Sequence, residues 1–136
     1  MIGVLILAHG DLGAALLASA SHMLGRQPEN VRAIGVSGGD APESVLARGR
    51  AALRELDTGS GVLVLTDIYG ATPCNVASRL LRRGRVEGVS GVSLPMLLRV
   101  LTYCGGGLDA LVEKARSGGT EGVVHLRDDC CSNAER

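Results

Sequence analysis

Ile2-Gly3-Val4-Leu5-Ile6-Leu7-Ala8-His9-Gly10 is the stretch on which the reading of the chain turns. Residues 2–8 form an apolar run with no polar position on either face, so a strand made from them is buried on both sides. The run stops at a histidine and a glycine, which places an imidazole on display at the strand tip. A second apolar run, 61–66, ends in the same way at Asp67, and Tyr69-Gly70-Ala71-Thr72-Pro73 follows. One imidazole and one carboxylate, each at the carboxyl end of a buried strand, can meet across a sheet.

Outward from these runs, strand and helix signals alternate. Leu12, Leu16, Leu17 and Met23 fall near helical spacing, giving a helix over 13–24 stopped by Gly25. Residues 31–36 read as a second strand and Ser37-Gly38-Gly39-Asp40 as a turn. Pro42 opens a helix to Leu56, with Asp40 or Ala41 near its cap. After the third strand, 61–67, Thr72 is expected at a helix cap with Pro73 in the first helical position, the helix running to Arg83 and stopping at Gly84. Residues 86–92 make a weaker fourth strand, and Pro95 opens a helix to Tyr103 that Gly105-Gly106-Gly107 ends. A last helix spans 108–116, Gly118-Gly119 breaks it, and 122–126 form a fifth short strand. The domain is expected over 1–126, with 127–136 a polar, frayed tail.

Continuously apolar strands alternating with helices predict an α/β fold, a parallel sheet covered on both faces in a three-layer sandwich. Right-handed crossovers favour the flavodoxin-like order 2-1-3-4, in which the first and third strands are neighbours. Chemistry in such sheets collects at the carboxyl ends of the strands where the winding reverses, and that point lies between His9 and Asp67.

The 136 residues suffice for one domain with a proper core. The formal net charge is zero, so neither a nucleic-acid footprint nor a polybasic membrane patch is expected. Aromatic content is 1%, without Trp or Phe, which removes the stacking platforms that single-stranded nucleic acid needs. Residues 1–8 are too short to span a bilayer and carry no leader signature, so a cytoplasmic protein without membrane insertion is expected. Cys74, Cys104, Cys130 and Cys131 show no metal-ligand spacing and read as reduced thiols.

If Asp67 accepts a hydrogen bond from one ring nitrogen of His9, the other nitrogen carries a lone pair toward solvent. The carboxylate also stabilises the imidazolium formed when the ring attacks an electrophile. No GxSxG elbow occurs, so a serine triad is not indicated. The turn at Gly10 and the helix start at Thr72-Pro73 offer amide groups and positive dipole ends at one sheet edge, with the Thr72 hydroxyl beside them, and this favours phosphorus as the electrophile. Neither a GxxxxGK[ST] loop nor GxGxxG is present, so direct use of ATP or a dinucleotide is not supported.

Three segments, Val4-Leu5-Ile6-Leu7-Ala8-His9-Gly10, Leu65-Thr66-Asp67-Ile68-Tyr69-Gly70-Ala71-Thr72-Pro73-Cys74-Asn75 and Gly91-Val92-Ser93-Leu94-Pro95-Met96, resemble the IIA component of the mannose family of the bacterial phosphoenolpyruvate:sugar phosphotransferase system. The resemblance runs in order to about Leu126. It implies that His9 is the phosphoacceptor, charged by the phosphocarrier HPr and discharged to a IIB component, with Asp67 as its hydrogen-bond partner. Gly10, Gly70, Ala71 and Thr72 are then the phosphate-binding positions. It also implies an antiparallel edge strand, here 122–126, exchanged in a homodimer, and neither metal nor organic cofactor. Nothing in 127–136 resembles a linker or a second domain, so IIB is expected on a separate chain. A regulatory phosphoprotein without transport, the phosphocarrier subunit of a dihydroxyacetone kinase, and a small-ligand binder without turnover are the competing readings. The sugar is not encoded here.

Each residue also has a plainer account. His9 can close a strand, Asp67 can form a turn, Thr72 can only cap, and Gly10, Gly70 and Gly91 can serve turn geometry. His22 and His125 are read as structural or solvent-facing. Ser37-Gly38-Gly39-Asp40 ends at the same sheet edge, and Pro95 and Met96 follow the fourth strand as possible partner contacts. It is the combination of His9, Asp67 and Thr72-Pro73 that outweighs the plainer accounts.

Overall fold

The computed structural model describes residues 1–127. Its strands are β1 (Gly3–His9), β2 (Val31–Val36), β3 (Val62–Thr66) and β4 (Val86–Val89), and its helices are α1 (Leu12–Leu24), α2 (Pro42–Leu56), α3 (Thr72–Leu80), α4 (Leu94–Thr102) and α5 (Leu108–Glu121). The sheet is wholly parallel in the order β2-β1-β3-β4, the flavodoxin-like arrangement expected.

Alternation along the strands sends side chains to two cores. Val4, Ile6 and Ala8 of β1, with Leu63 and Leu65 of β3, pack beneath α1, α4 and α5. Leu5 and Leu7, with Val62 and Val64, pack beneath α2 and α3. The residues of β1 from Val4 to Ala8 are all fully buried, which explains their unbroken apolarity. Each such Leu or Ile contributes about 1.5–3 kcal/mol by leaving water.

The fourth strand, expected over 86–92, ends at Val89, and the structure departs from the sequence reading in four further places. Ala71, not Thr72, occupies the cap of α3, and Thr72 and Pro73 are its first two residues. That helix ends at Leu80 instead of Arg83 because Arg82 and Val86 exchange backbone hydrogen bonds of 3.0 and 2.7 Å, pulling the chain into a tight antiparallel turn. The Gly118-Gly119 pair does not break α5. A Cβ at Gly118 would lie 3.1 Å from the Arg99 Cβ and 3.2 Å from the Met96 Cα, and one at Gly119 would lie 2.9 Å from the Met96 Cε. The glycines let α5 approach α4 closely, and that packing offsets the ~1 kcal/mol that each glycine costs a helix.

Finally, residues 122–126 add no strand to the sheet. Gly122 caps α5, and Val123, Val124 and Leu126 stay 84%, 62% and 72% exposed. An edge strand needs a neighbour for its backbone groups, and among the described residues the segment leaves α5 without reaching one. The expected tail lies almost wholly beyond the described residues, as do Cys130 and Cys131. Cys104 is buried and Cys74 half-buried, both as free thiols.

Candidate functional site

β1 and β3 run side by side, with Leu7 opposite Thr66, so the residues after them leave the sheet together. His9 and Asp67 meet there. The Asp67 carboxylate takes two hydrogen bonds on one oxygen: the His9 backbone amide donates to Oδ2 at 2.9 Å, and His9 Nδ1 lies 2.7 Å from the same atom. The other oxygen, Oδ1, accepts the Ile68 amide at 2.9 Å. An ionised carboxylate only accepts, so Nδ1 carries a proton, and in the neutral ring Nε2 keeps its lone pair. The sequence could not say which nitrogen is which.

Asp67 is largely covered, with 11% of its side chain exposed, while the His9 side chain is 53% exposed. Burial pushes the carboxyl pKa up, but the His9 amide, the His9 ring, the Ile68 amide and the charge of the ring together outweigh it. The native pKa lies below the ordinary 3.8. Ionised Asp67 therefore stabilises the folded state above the ordinary carboxyl pKa, and that contribution fades as pH falls through 3.8 toward the lower native value. Urea midpoints of wild type and Asp67→Asn, compared from about pH 7 to about pH 3, should converge on acidification. A gap that stays constant would show that the charge on Asp67 adds nothing to folding.

The other expected residues surround this pair unequally. Gly10 follows with φ 55°, and its amide donates to the Val36 carbonyl at 3.0 Å. The approach is so close that a Cβ on Gly35 would collide with the Gly10 carbonyl oxygen. Gly70, at φ 86°, turns the chain into α3, and Ala71 caps it in extended conformation. The Thr72 side chain is exposed and takes no hydrogen bond among the described residues. By alternation His9 points to the same side as Leu5 and Leu7, the face on which α3 begins. The first turn of α3, rather than that of α1, shares its side of the sheet.

Two features escaped the sequence reading. Beyond β4, Gly91 donates to the Asp67 carbonyl at 3.1 Å and Val92 to the Thr66 carbonyl at 2.9 Å, so this loop holds the end of β3 in place. Ser93 then caps α4, accepting the Met96 amide at 3.3 Å. The second feature is an apolar rim. Leu12, three residues after His9, and Ile68 and Tyr69, directly after Asp67, are 40%, 59% and 84% exposed. Large apolar residues within three positions of a strand tip were the available signal. His22 is exposed near the end of α1 and, among the described residues, makes no hydrogen bond to the residues of the expected site; His125 lies beyond α5. Ser37 and Asp40 close their own turn through a 2.8 Å bond from the Ser37 amide to Asp40 Oδ2.

The family described as PTS system fructose IIA component (EIIA-man) matches residues 3–116, which include His9, Asp67 and Thr72. The PTS system mannose-specific EIIAB component of Escherichia coli (strain K12) is 37% identical over 129 residues, covering 93% of this chain and 40% of that protein. The chain thus spans less than half the length of this relative. The PTS system fructose-specific EIIA component of Bacillus subtilis (strain 168) is 34% identical over 103 residues, covering 75% of this chain and 70% of that protein. Among solved structures, the phosphotransferase system component EIIA from Streptococcus agalactiae superposes with a TM-score of 0.80 at 32% identity, covering 92% of this chain and 97% of that one.

Proposed function

The chain belongs to the EIIA-man family of phosphotransferase-system IIA components, and from that premise we propose that it is a phosphoryl carrier in sugar uptake. His9 accepts the group from phospho-HPr and passes it to a IIB component. The observation that carries this reading is the 2.7 Å contact between His9 Nδ1 and Asp67 Oδ2, with the ring otherwise open to solvent.

In the forward step the Nε2 lone pair attacks phosphorus and an N–P bond forms. The P–N bond to the donor imidazole breaks, and its electron pair returns to the donor. Asp67 holds the proton on Nδ1 and offsets the positive charge that the ring gains. The transferred group carries its charge on equatorial oxygens, so donors aimed at them do most of the work. Thr72 supplies a hydroxyl, and the first turn of α3, entered through Gly70 and Ala71, supplies the dipole end and backbone N–H groups. Gly10 serves as the turn that frees the ring, since its own amide is committed to Val36.

A donor that is itself a protein must reach the ring, which suits an exposed histidine better than a deep pocket. The apolar rim of Leu12, Ile68 and Tyr69 fits such a docking face. The functional unit is the folded domain over 1–126, working in the cytoplasm where HPr and IIB meet it. No helix among the described residues is long and apolar enough to cross a membrane. Exposed Val123, Val124 and Leu126 support a homodimer in which that segment pairs with a second copy, a state that light scattering reads directly.

Incubation with phosphoenolpyruvate, enzyme I and HPr should place one phosphate on each chain, and an added IIB component should remove it. An unlabelled chain would leave a ligand binder without turnover. Label that no IIB component removes would leave a regulatory phosphoprotein.

A further inference from the structure

The end of the sheet opposite His9 carries a second concentration of charge. Val86 begins β4 in register with Val62, at the amino ends of the strands, whereas His9 stands at a carboxyl end. A cavity of ≈ 390 Å³ there is lined by five arginines, Arg50, Arg54, Arg79, Arg82 and Arg85, and by one carboxylate, Asp57. Three elements bring them together: α2 supplies Arg50 and Arg54, α3 supplies Arg79, and the tight turn closed by Arg82 and Val86 supplies the last two.

The available acids do not neutralise this group. Asp57 spends Oδ1 on the amides of Gly59 and Gly61, at 2.9 and 3.2 Å, and Oδ2 on Arg85 at 2.8 Å. Glu43, outside the cavity lining, pairs with Arg79 at 2.7 Å. Among the described residues, Arg50, Arg54 and Arg82 have no carboxylate within 4.0 Å. Arg54 and Arg79 lie in the last turns of their helices, where the dipole favours a cation. Arg82 has no such account, and Arg50 meets only the longer-range charge of Glu43, whose carboxylate is already paired with Arg79. Arg50 and Arg54 are four residues apart on one helix face, an arrangement that like charges disfavour unless an anion sits between them.

We propose that this cavity binds a small phosphorylated compound that lacks an aromatic ring and carries two or more negative charges. Guanidinium groups offer planar pairs of donors matched to phosphate oxygens. The concave shape and volume fit a small molecule better than an extended surface. Leu53 and Leu80 add apolar wall for a short carbon skeleton, and no aromatic side chain is there to stack a base. The site is independent of the phosphoryl-carrier reading, because it uses none of the residues around His9.

Titration calorimetry at physiological ionic strength, with inorganic pyrophosphate and a hexose bisphosphate as probes and chloride as the matched control, tests this directly. The wild-type chain should bind at least one probe saturably with one site per chain. Arg54→Gln with Arg82→Gln should weaken that binding by about 100-fold, roughly tenfold for each charged contact removed. Unchanged circular dichroism and an unchanged rate of phosphorylation by HPr would show that the double variant is folded. The His9→Ala variant should bind as wild type does. Failure of both probes to bind at millimolar concentration, equal affinity in the double variant, or loss of binding in His9→Ala would each overturn the proposal. Capture on anionic phospholipid vesicles with no binding of either probe would overturn it as well, in favour of a membrane-facing surface.

Discussion

His9→Ala is expected to take up no phosphate from phosphoenolpyruvate, enzyme I and HPr, while His22→Ala is labelled at the wild-type rate. All three histidines of the chain are exposed, so accessibility does not distinguish them. What distinguishes His9 from His22, among the described residues, is the carboxylate that fixes its proton on Nδ1 and leaves Nε2 nucleophilic. An alanine has no lone pair to offer, so the loss should be complete rather than partial. The label on wild type should be lost in acid and retained in base, because protonating the ring turns it into a good leaving group from phosphorus. The fold should survive. Asp67 keeps the His9 backbone amide as a donor, and the lost ring contact is worth about 1–3 kcal/mol. A labelled His9→Ala chain would move the acceptor elsewhere and remove the proposed mechanism.

Asp67→Asn is expected to slow the same transfer by about two to four orders of magnitude without weakening HPr docking. The amide can still hydrogen-bond to the ring, but it carries no charge to balance the imidazolium and can donate as well as accept. The proton is then no longer held on Nδ1. Single-turnover rates at saturating phospho-HPr separate this loss from a loss of affinity. The rim of Leu12, Ile68 and Tyr69 is untouched by the substitution, so the affinity should hold. Equal rates for the variant and wild type would take Asp67 out of the chemistry and leave it as a turn former.

The architecture was readable in the sequence because its two central strands, β1 and β3, are buried on both faces. β1, β2 and α2 fall within a residue of the expected limits, since apolar runs bounded by turn residues and a proline at a helix start are local signals. The exceptions share one cause. Gly118-Gly119 looks like a helix break until Met96 and Arg99 are known to lie against it. The stop expected at Gly84 yields to a hydrogen-bonded turn between Arg82 and Val86, and the strand expected over 122–126 finds no neighbour among the described residues. A local pattern reports propensity, and each of these outcomes was set by what packs against the segment.

The site divides along the same line. Apolar runs ending in His9 and Asp67, together with crossover handedness, were enough to place an imidazole beside a carboxylate at one crevice, because burial and chirality act on every residue of a strand alike. Three further facts waited for the chain to be packed. These are the choice of Nδ1 as the bonded nitrogen, the commitment of the Gly10 amide to Val36, and the gathering of five arginines from three elements at the far end of the sheet. Hydrogen bonds and charge clusters depend on distances of a few ångströms between residues remote in the chain, and no periodicity along the chain encodes those distances.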